Sequence, residues 1–195
     1  MKRKGILFVI SAPSGAGKTT LCRELMNTFP DLKFSISYTT RDKRKGEVDG
    51  KDYHFTPEES FRKMISEGAF AEWAEVHGKL YGTKTEDIKK ATREGNDIIL
   101  DIDWQGARQI REKMGEGVYI FILPPGIEEL EKRLRERGKD SEEIIRKRVR
   151  NAGEEMSHSS WYDYNITNDD LPLAANALKS IIVAERCRTS LYSRP

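Results

Sequence analysis

Ile6-Leu7-Phe8-Val9-Ile10 is an unbroken apolar run, with none of the polar alternation of a half-exposed strand. The pattern predicts a strand buried on both faces. Small, turn-forming residues follow from Ser11 to Gly17, and Leu21 and Leu25 then fall four apart, on one face of a helix starting at Lys18. Strand, glycine-rich turn and helix open a βαβ unit. Residues 35 to about 87 read differently. They are rich in Thr, Arg, Gly and Tyr, with short strand patterns at 34–38 and 51–55 and a helical pattern at 60–67 placing Phe61, Met64 and Ile65 together. This stretch is expected to be a small inserted mixed subdomain. Buried strands are expected again at 98–103, ending in Asp101 and Asp103, and at 118–123, stopped by Pro124-Pro125. A helix over 105–113 lies between them. A charged helix over 127–137 ends at Gly138, and Ser141 caps another whose first turn carries Glu142 and Glu143. A short strand at 164–167 and an amphipathic helix over 171–191, with Leu178, Ile181, Ile182 and Ala184 inward, complete the pattern. Alternating strands and helices predict a three-layer α/β core with a mostly parallel sheet.

With 37% hydrophobic and 34% charged residues, the 195-residue chain fits one soluble domain with a densely ionised surface. No apolar run approaches the roughly 18 residues that cross a membrane. The start, Met1-Lys2-Arg3-Lys4-Gly5, looks like the charged end of a signal peptide, but the apolar run behind it is too short for a signal core. Cys22 and Cys187 have neither zinc spacing nor a disulfide framework, so a reducing cytoplasm is the expected compartment. The net charge of +2 indicates no polyanion-binding surface, so neither nucleic acid nor membrane is an expected partner. Affinity for phosphate must come from local arrangement.

Ala12-Pro13-Ser14-Gly15-Ala16-Gly17-Lys18-Thr19 provides one. It follows the phosphate-loop pattern G-x-x-x-x-G-K-[ST] except that Ala12 stands where the first glycine would. Gly15 and Gly17 let main-chain N–H groups turn inward, the helix start adds donors, Lys18 can reach the β- and γ-phosphates, and the Thr19 hydroxyl can bind Mg²⁺. Thr20 follows in the same turn and joins the expected ATP-binding set. The pattern identifies a nucleotide phosphate site and leaves the acceptor open.

The acceptor side carries a family resemblance. Residues 11–19 and the segment Thr39-Thr40-Arg41-Asp42-Lys43-Arg44-Lys45-Gly46-Glu47 resemble guanylate kinases, the second through the signature T-T-R-x-x-R-x-G-E. Gly50-Lys51-Asp52-Tyr53-His54-Phe55, Glu72-Trp73-Ala74-Glu75, Tyr81-Gly82-Thr83 and Ile99-Leu100-Asp101-Ile102-Asp103-Trp104-Gln105-Gly106 follow in family-like order. The resemblance runs from Ile6 to about Asp170 and implies a P-loop NTPase fold. It divides the chain into a core (1–34, 92–125, 159–195), a GMP-binding subdomain (35–91) and a lid (126–158). It implies transfer of phosphate from ATP to GMP, and to dGMP, with Mg²⁺ and no obligatory protein partner.

Chemistry points the same way. Arg41 and Arg44 offer guanidinium forks for a phosphate, and Tyr53 and Tyr81 add phenolic donors. Guanine presents two donors, N1–H and the 2-amino group, that a carboxylate answers at once. The resemblance gives that task to Glu72, with Ser37 and Thr83 completing the base contacts. Adenine has no such donor pair, so a buried carboxylate disfavours it. Asp101 and Asp103 end a strand where P-loop enzymes place a magnesium-associated carboxylate. In the resemblance Asp101 also lies near the acceptor, so metal, water and ligand roles stay open for both, and the plain alternative for Asp103 is to cap a helix. The resemblance names Arg137 and Arg148 as the lid arginines facing phosphate, with Arg133 a further candidate. With Lys18 and Arg44 they form the expected catalytic set. Arg135, Lys139 and Arg150 are expected to pair with nearby glutamates. Asn168-Asp169 would lie near the ATP adenine, and reads equally well as a helix cap. His54, His77 and His158 receive no task. Two other readings compete: a scaffold domain that binds peptides without catalysis, and a P-loop kinase for another small acceptor. The intact Gly17-Lys18-Thr19 opposes the first; Ser37, Glu72 and Tyr81 oppose the second.

Overall fold

The computed structural model describes residues 3–76, 78–138 and 141–191. His77 and Lys139 lie outside these residues. The elements in chain order are β1 (Leu7–Ser11), α1 (Lys18–Thr28), β2 (Lys33–Phe34), β3 (Tyr38–Thr39), β4 (His54–Phe55), α2 (Glu58–Ser66), β5 (Phe70–Val76) and β6 (Lys79–Lys84). There follow α3 (Thr85–Arg93), β7 (Ile98–Asp101), α4 (Trp104–Met114), β8 (Val118–Leu123), α5 (Ile127–Glu136), α6 (Glu142–Ser157), β9 (Tyr164–Thr167) and α7 (Leu171–Arg186).

Five strands form one parallel sheet in the order β2-β7-β1-β8-β9. Successive side chains of a strand point to opposite faces, and the cores follow that parity. Ile6, Phe8 and Ile10 pack with Leu21, Leu25, Leu178 and Ile182 of α1 and α7. Leu7 and Val9 pack with Ile88, Ala107 and Ile110 of α3 and α4. Burial on both faces is why β1, β7 and β8 read as continuous apolar runs. The result is the three-layer α/β core that the pattern predicts.

The segment between β2 and α3 carries a second, mixed sheet in the order β4-β3-β6-β5. Its own small core is Phe61, Phe70 and Leu80. Helices α5 and α6 pack on each other through Leu130, Leu134, Ile145 and Ala152.

Four expectations change. The pattern at 34–38 is not one strand: Phe34 ends a strand of the parallel sheet, the Ser35 N–H still donates to the Ile99 carbonyl at 2.9 Å, and Tyr38 then begins a strand of the other sheet. The strand over 51–55 shrinks to His54–Phe55, because residues 48–52 form a turn in which the Asp52 N–H donates to the Val48 carbonyl. The strand over 98–103 stops at Asp101, since Asp103 turns to cap α4. The last helix ends at Arg186, with Thr189–Leu191 forming a separate 3-10 turn. The β5–β6 hairpin and α3 were not predicted. In β5 the charged Glu72 is buried while Trp73 and Val76 are exposed, so its sequence shows no apolar–polar alternation that matches burial.

Candidate active site

In a parallel sheet with this strand order, chain direction reverses about β1, and ligands sit beyond the carboxyl ends of the strands at such a switch point. The chain at that edge of β1, β7 and β9 supplies the phosphate loop, Asp101 with Asp103, and Asn168. Gly15 and Gly17 have φ of 98° and 93°, in the left-handed region where a side chain is strained. Gly17 is doubly required: a Cβ there would stand 2.2 Å from the Asn168 amide nitrogen. That amide is buried and donates to the Ala16 carbonyl at 2.8 Å, tying β9 to the loop. Helix α1 begins at Lys18 with no side chain capping it. Ala12, Pro13, Ser14, Gly15, Gly17, Lys18, Thr19 and Thr20 line a cleft of about 540 Å³, joined by Asp103, Arg137 and Glu155.

The Lys18 ammonium is ion-paired with Asp101 and donates to the Ile102 carbonyl at 3.1 Å. Arg148 donates to the Ser14 hydroxyl at 2.9 Å, joining α6 to the loop. Arg137 is exposed at the end of α5. Arg133 is occupied: it bonds Glu129 at 3.0 Å and donates to the Asn168 carbonyl at 3.0 Å. Arg135 pairs with Glu131 and Glu142. Asp169 is exposed, and the cap of α7 is Asp170, which accepts from the Leu173 N–H at 2.9 Å.

The second sheet presents the other predicted residues. Glu72 on β5 and Thr83 on β6 are cross-strand partners, beside a register shift between Phe70 and Glu72. Both are buried; Glu72 is 5% exposed. Burial pushes the Glu72 carboxyl up to about 7; Thr83 lowers it, Asp103 raises it further and Lys113 lowers it. The Thr83 hydroxyl lies close enough to Glu72 to act on it, yet meets the geometry of a regular hydrogen bond with no described residue. Ser37 is half-buried, and its carbonyl accepts from the His54 N–H at 2.9 Å. Arg41 forms a two-point ion pair with Glu47, at 2.7 and 3.0 Å, and its guanidinium lies 5.3 Å from the Tyr53 ring centre. Tyr53 and Tyr81 meet edge to face at 6.0 Å. The exposed Arg44 side chain has no hydrogen bond to a described residue.

Asp101 and Asp103 stand between the two groups. Asp101 pairs with Lys18 and acts electrostatically on Tyr53; Asp103 acts on Glu72 and lines the phosphate-loop cleft. Asp103 also caps α4, accepting from the Gly106 N–H at 2.8 Å. Gly106 leaves room for the carboxylate, because a Cβ there would lie 3.0 Å from Glu72 Oε2. Gln109 of α4 fixes the β5 main chain on both sides, donating to the Trp73 carbonyl at 3.0 Å and accepting from its N–H at 3.2 Å.

Three contributors carried no role in the sequence reading. Glu47 closes the T-T-R-x-x-R-x-G-E segment, and only its pairing with Arg41 gives it a task. Glu155 looked like one more helix glutamate; it lines the cleft, and burial, with Asp103, lifts its carboxyl to about 7 against the pull of Lys18. Gly106 shows its need only beside Glu72. None of these contacts has a local sequence signal.

A phosphate loop on the central parallel strand, a lysine at its helix start and a second sheet bearing a buried carboxylate define a P-loop phosphotransferase. The family profile described as Guanylate kinase matches residues 4–185. The guanylate kinase of Syntrophotalea carbinolica is 57% identical over 190 residues, covering 97% of this chain and 90% of that relative. That of Geobacter metallireducens is 56% identical, covering 97% and 93%. Among solved structures, a guanylate kinase from Anaplasma phagocytophilum superposes with a TM-score of 0.75 at 36% identity, over 98% of this chain and 91% of that one. The chain belongs to the guanylate kinase family.

Proposed function

We propose that this enzyme transfers the γ-phosphoryl group of ATP to GMP, and to dGMP, giving ADP and GDP or dGDP. The observation that carries the acceptor assignment is Glu72: a buried carboxylate partnered across the hairpin by Thr83 and placed beside Asp103, which borders the phosphate-loop cleft. On this reading the core is 1–34, 92–125 and 159–195, the acceptor subdomain 35–91 and the lid 126–158. A cytoplasmic location fits this nucleotide chemistry. Among the described residues no helix is long and apolar enough to cross a membrane.

Glu72 accepts N1–H and the 2-amino group of guanine, with Ser37 and Thr83 at the base edge. Arg41, Arg44, Tyr53 and Tyr81 hold the acceptor phosphate. The loop from Ala12 to Thr20 holds the ATP phosphates, and Asn168 keeps that loop in shape. Lys18 exchanges Asp101 for phosphate oxygens as ATP enters. An acceptor phosphate oxygen forms a bond to the γ-phosphorus while the bond to the β–γ bridging oxygen breaks. That phosphate is already ionised, so no general base is needed. Arg137 and Arg148, with Lys18 and Arg44, face the charge that develops.

Among the described residues no cluster of three or more carboxylate, His or Cys ligands exists. The exposed Thr19 hydroxyl in the cleft fits a hard cation that keeps most of its water and binds mainly through phosphate, which is the habit of Mg²⁺. Thr19 would hold it, with Asp101 acting through water. Bound there, it would supply charge neutralisation to the triphosphate. Coupled ADP release with GMP, dGMP, AMP, CMP and UMP tests the reading. GMP is expected to turn over fastest, with dGMP next. Equal turnover of AMP and GMP would overturn the guanine assignment.

A further inference from the structure

A guanidinium has five N–H donors, and a carboxylate can take two along one edge. In Arg41 three are committed. Nη2 donates to Glu47 Oε1 at 2.7 Å, and Nη1 donates to Glu47 Oε2 at 3.0 Å and to the Asp42 carbonyl at 2.8 Å. These contacts use the end-on edge and the outer hydrogen of Nη1. What remains without a regular hydrogen bond is the side-on edge, Nε–H with the outer hydrogen of Nη2, a parallel pair matched to two phosphate oxygens, with the Tyr81 phenol close enough to act on the guanidinium. The aromatic rings of Tyr53 and Phe55, 5.3 and 5.7 Å from the guanidinium carbon, further restrict the plane. Glu47 reaches the second arginine as well. Its Oε2 accepts from the Arg44 N–H at 2.8 Å, and its own N–H donates to the Arg44 carbonyl at 3.1 Å.

We propose that Glu47 is a positioning residue for the acceptor phosphate: it occupies the end-on edge of Arg41 and fixes the main chain of Arg44, so that the side-on edge of Arg41 is presented to the incoming monophosphate. The inference rests on the acceptor reading given above. The Arg41 guanidinium, helped by the Arg44 N–H, holds the Glu47 carboxyl down near 2, so the clamp stays charged through the working pH range. A carboxylate beside a phosphate site has two opposing effects. It repels the dianion, and it orients the cation. The sign of its removal separates them: a mere counter-ion, once neutralised, lets the phosphate bind more tightly, whereas loss of an orienting group weakens binding.

The test is steady-state kinetics of Glu47→Gln and Arg41→Met with GMP and ATP, together with guanosine inhibition constants and melting midpoints. For Glu47→Gln the KM for GMP is expected to rise about tenfold, the size of one misaligned charge-assisted contact. The value of kcat, the KM for ATP, the guanosine constant and the midpoint should stay near wild type. A KM for GMP that is unchanged or lower overturns the proposal, as does an equal loss of guanosine binding, which marks a structural effect on the whole subdomain. Arg41→Met distinguishes the two levels. If it leaves the KM for GMP unchanged, the acceptor reading itself fails. If it raises that KM while Glu47→Gln does not, only the role of Glu47 fails.

Discussion

The two halves of the site are built from different material. The donor half is shaped mostly by main chain: two glycines at positive φ and an uncapped helix start, braced by the buried side-chain amide of Asn168 and set on a strand buried along its whole length. The acceptor half is side chain: Glu72 beside Thr83, Arg41 clamped by Glu47, and Tyr53 against Tyr81, on a small sheet whose core is Phe61, Phe70 and Leu80. A phosphate of any nucleoside triphosphate satisfies the first. On the proposed reading, only a particular base satisfies the second. Shape held by backbone therefore gives grip, and chemistry held by side chains gives choice.

The sharpest break between the halves is Lys18→Ala. It removes the loop lysine that the proposed mechanism sets against the developing charge. Turnover is expected to fall about 10³-fold or more, the scale at which preorganised charge stabilisation is lost. GMP affinity, measured by calorimetry, should hold. Retained turnover would remove the donor half from the mechanism.

Glu72→Gln attacks the other half. The amide keeps the shape but offers a donor toward the N1 edge of guanine, so the preference for GMP over AMP should drop about 10²-fold. The KM for ATP is expected to stay within about twofold. An unchanged KM for GMP would show that Glu72 does not read the base.

Gly17→Ala tests whether the donor half really depends on backbone. The substitution strains a φ of 93° and drives a methyl group into the Asn168 amide. A loss of about 2 kcal/mol of stability is expected from the strained φ alone, with more from the collision. Asn168→Ala should cost about 1–3 kcal/mol by leaving the Ala16 carbonyl unpaired. Combining the two should cost less than their sum, because the collision disappears with Asn168. Strictly additive melting shifts would show that the two residues do not meet.

The same contrast explains what could be read in advance. Glycines followed by Lys18 and Thr19 after a buried run specify a phosphate loop locally, because each residue acts through its own backbone. The strands β1, β7 and β8 were legible because burial on both faces removes polar residues. The acceptor half was not legible in that way. Glu72 lies far in sequence from Asp103 and Gly106, and nothing local distinguishes it from the exposed Glu75. Only the order of motifs shared with a family pointed to it. The contact of Arg133, the further lid candidate, with the Asn168 carbonyl shows only in the fold, and Glu155 becomes distinctive only through its neighbours.

The smallest expected effect is the most specific to the acceptor half. Glu72 must be ionised to accept two donors, and its carboxyl sits at about 7 in the folded protein against an ordinary value of 4.5, chiefly through burial. The groups acting on it are Thr83, Asp103 and Lys113. A folded value above the unfolded one means that the folded protein holds its proton more tightly. Its contribution to stability is therefore complete below pH 4.5 and is lost as pH rises to about 7, an effect on the order of 3 kcal/mol. Binding runs the opposite way. Guanosine, which carries no phosphate to titrate, should bind up to about tenfold more tightly at pH 8 than at pH 6, with the inflection near 7. Glu155 titrates in the same range but lines the donor cleft. Glu155→Gln should therefore leave the guanosine inflection in place, and Glu72→Gln should abolish it. If the inflection follows Glu155, the proton belongs to the donor half, and the division of labour between main chain and side chain is drawn in the wrong place.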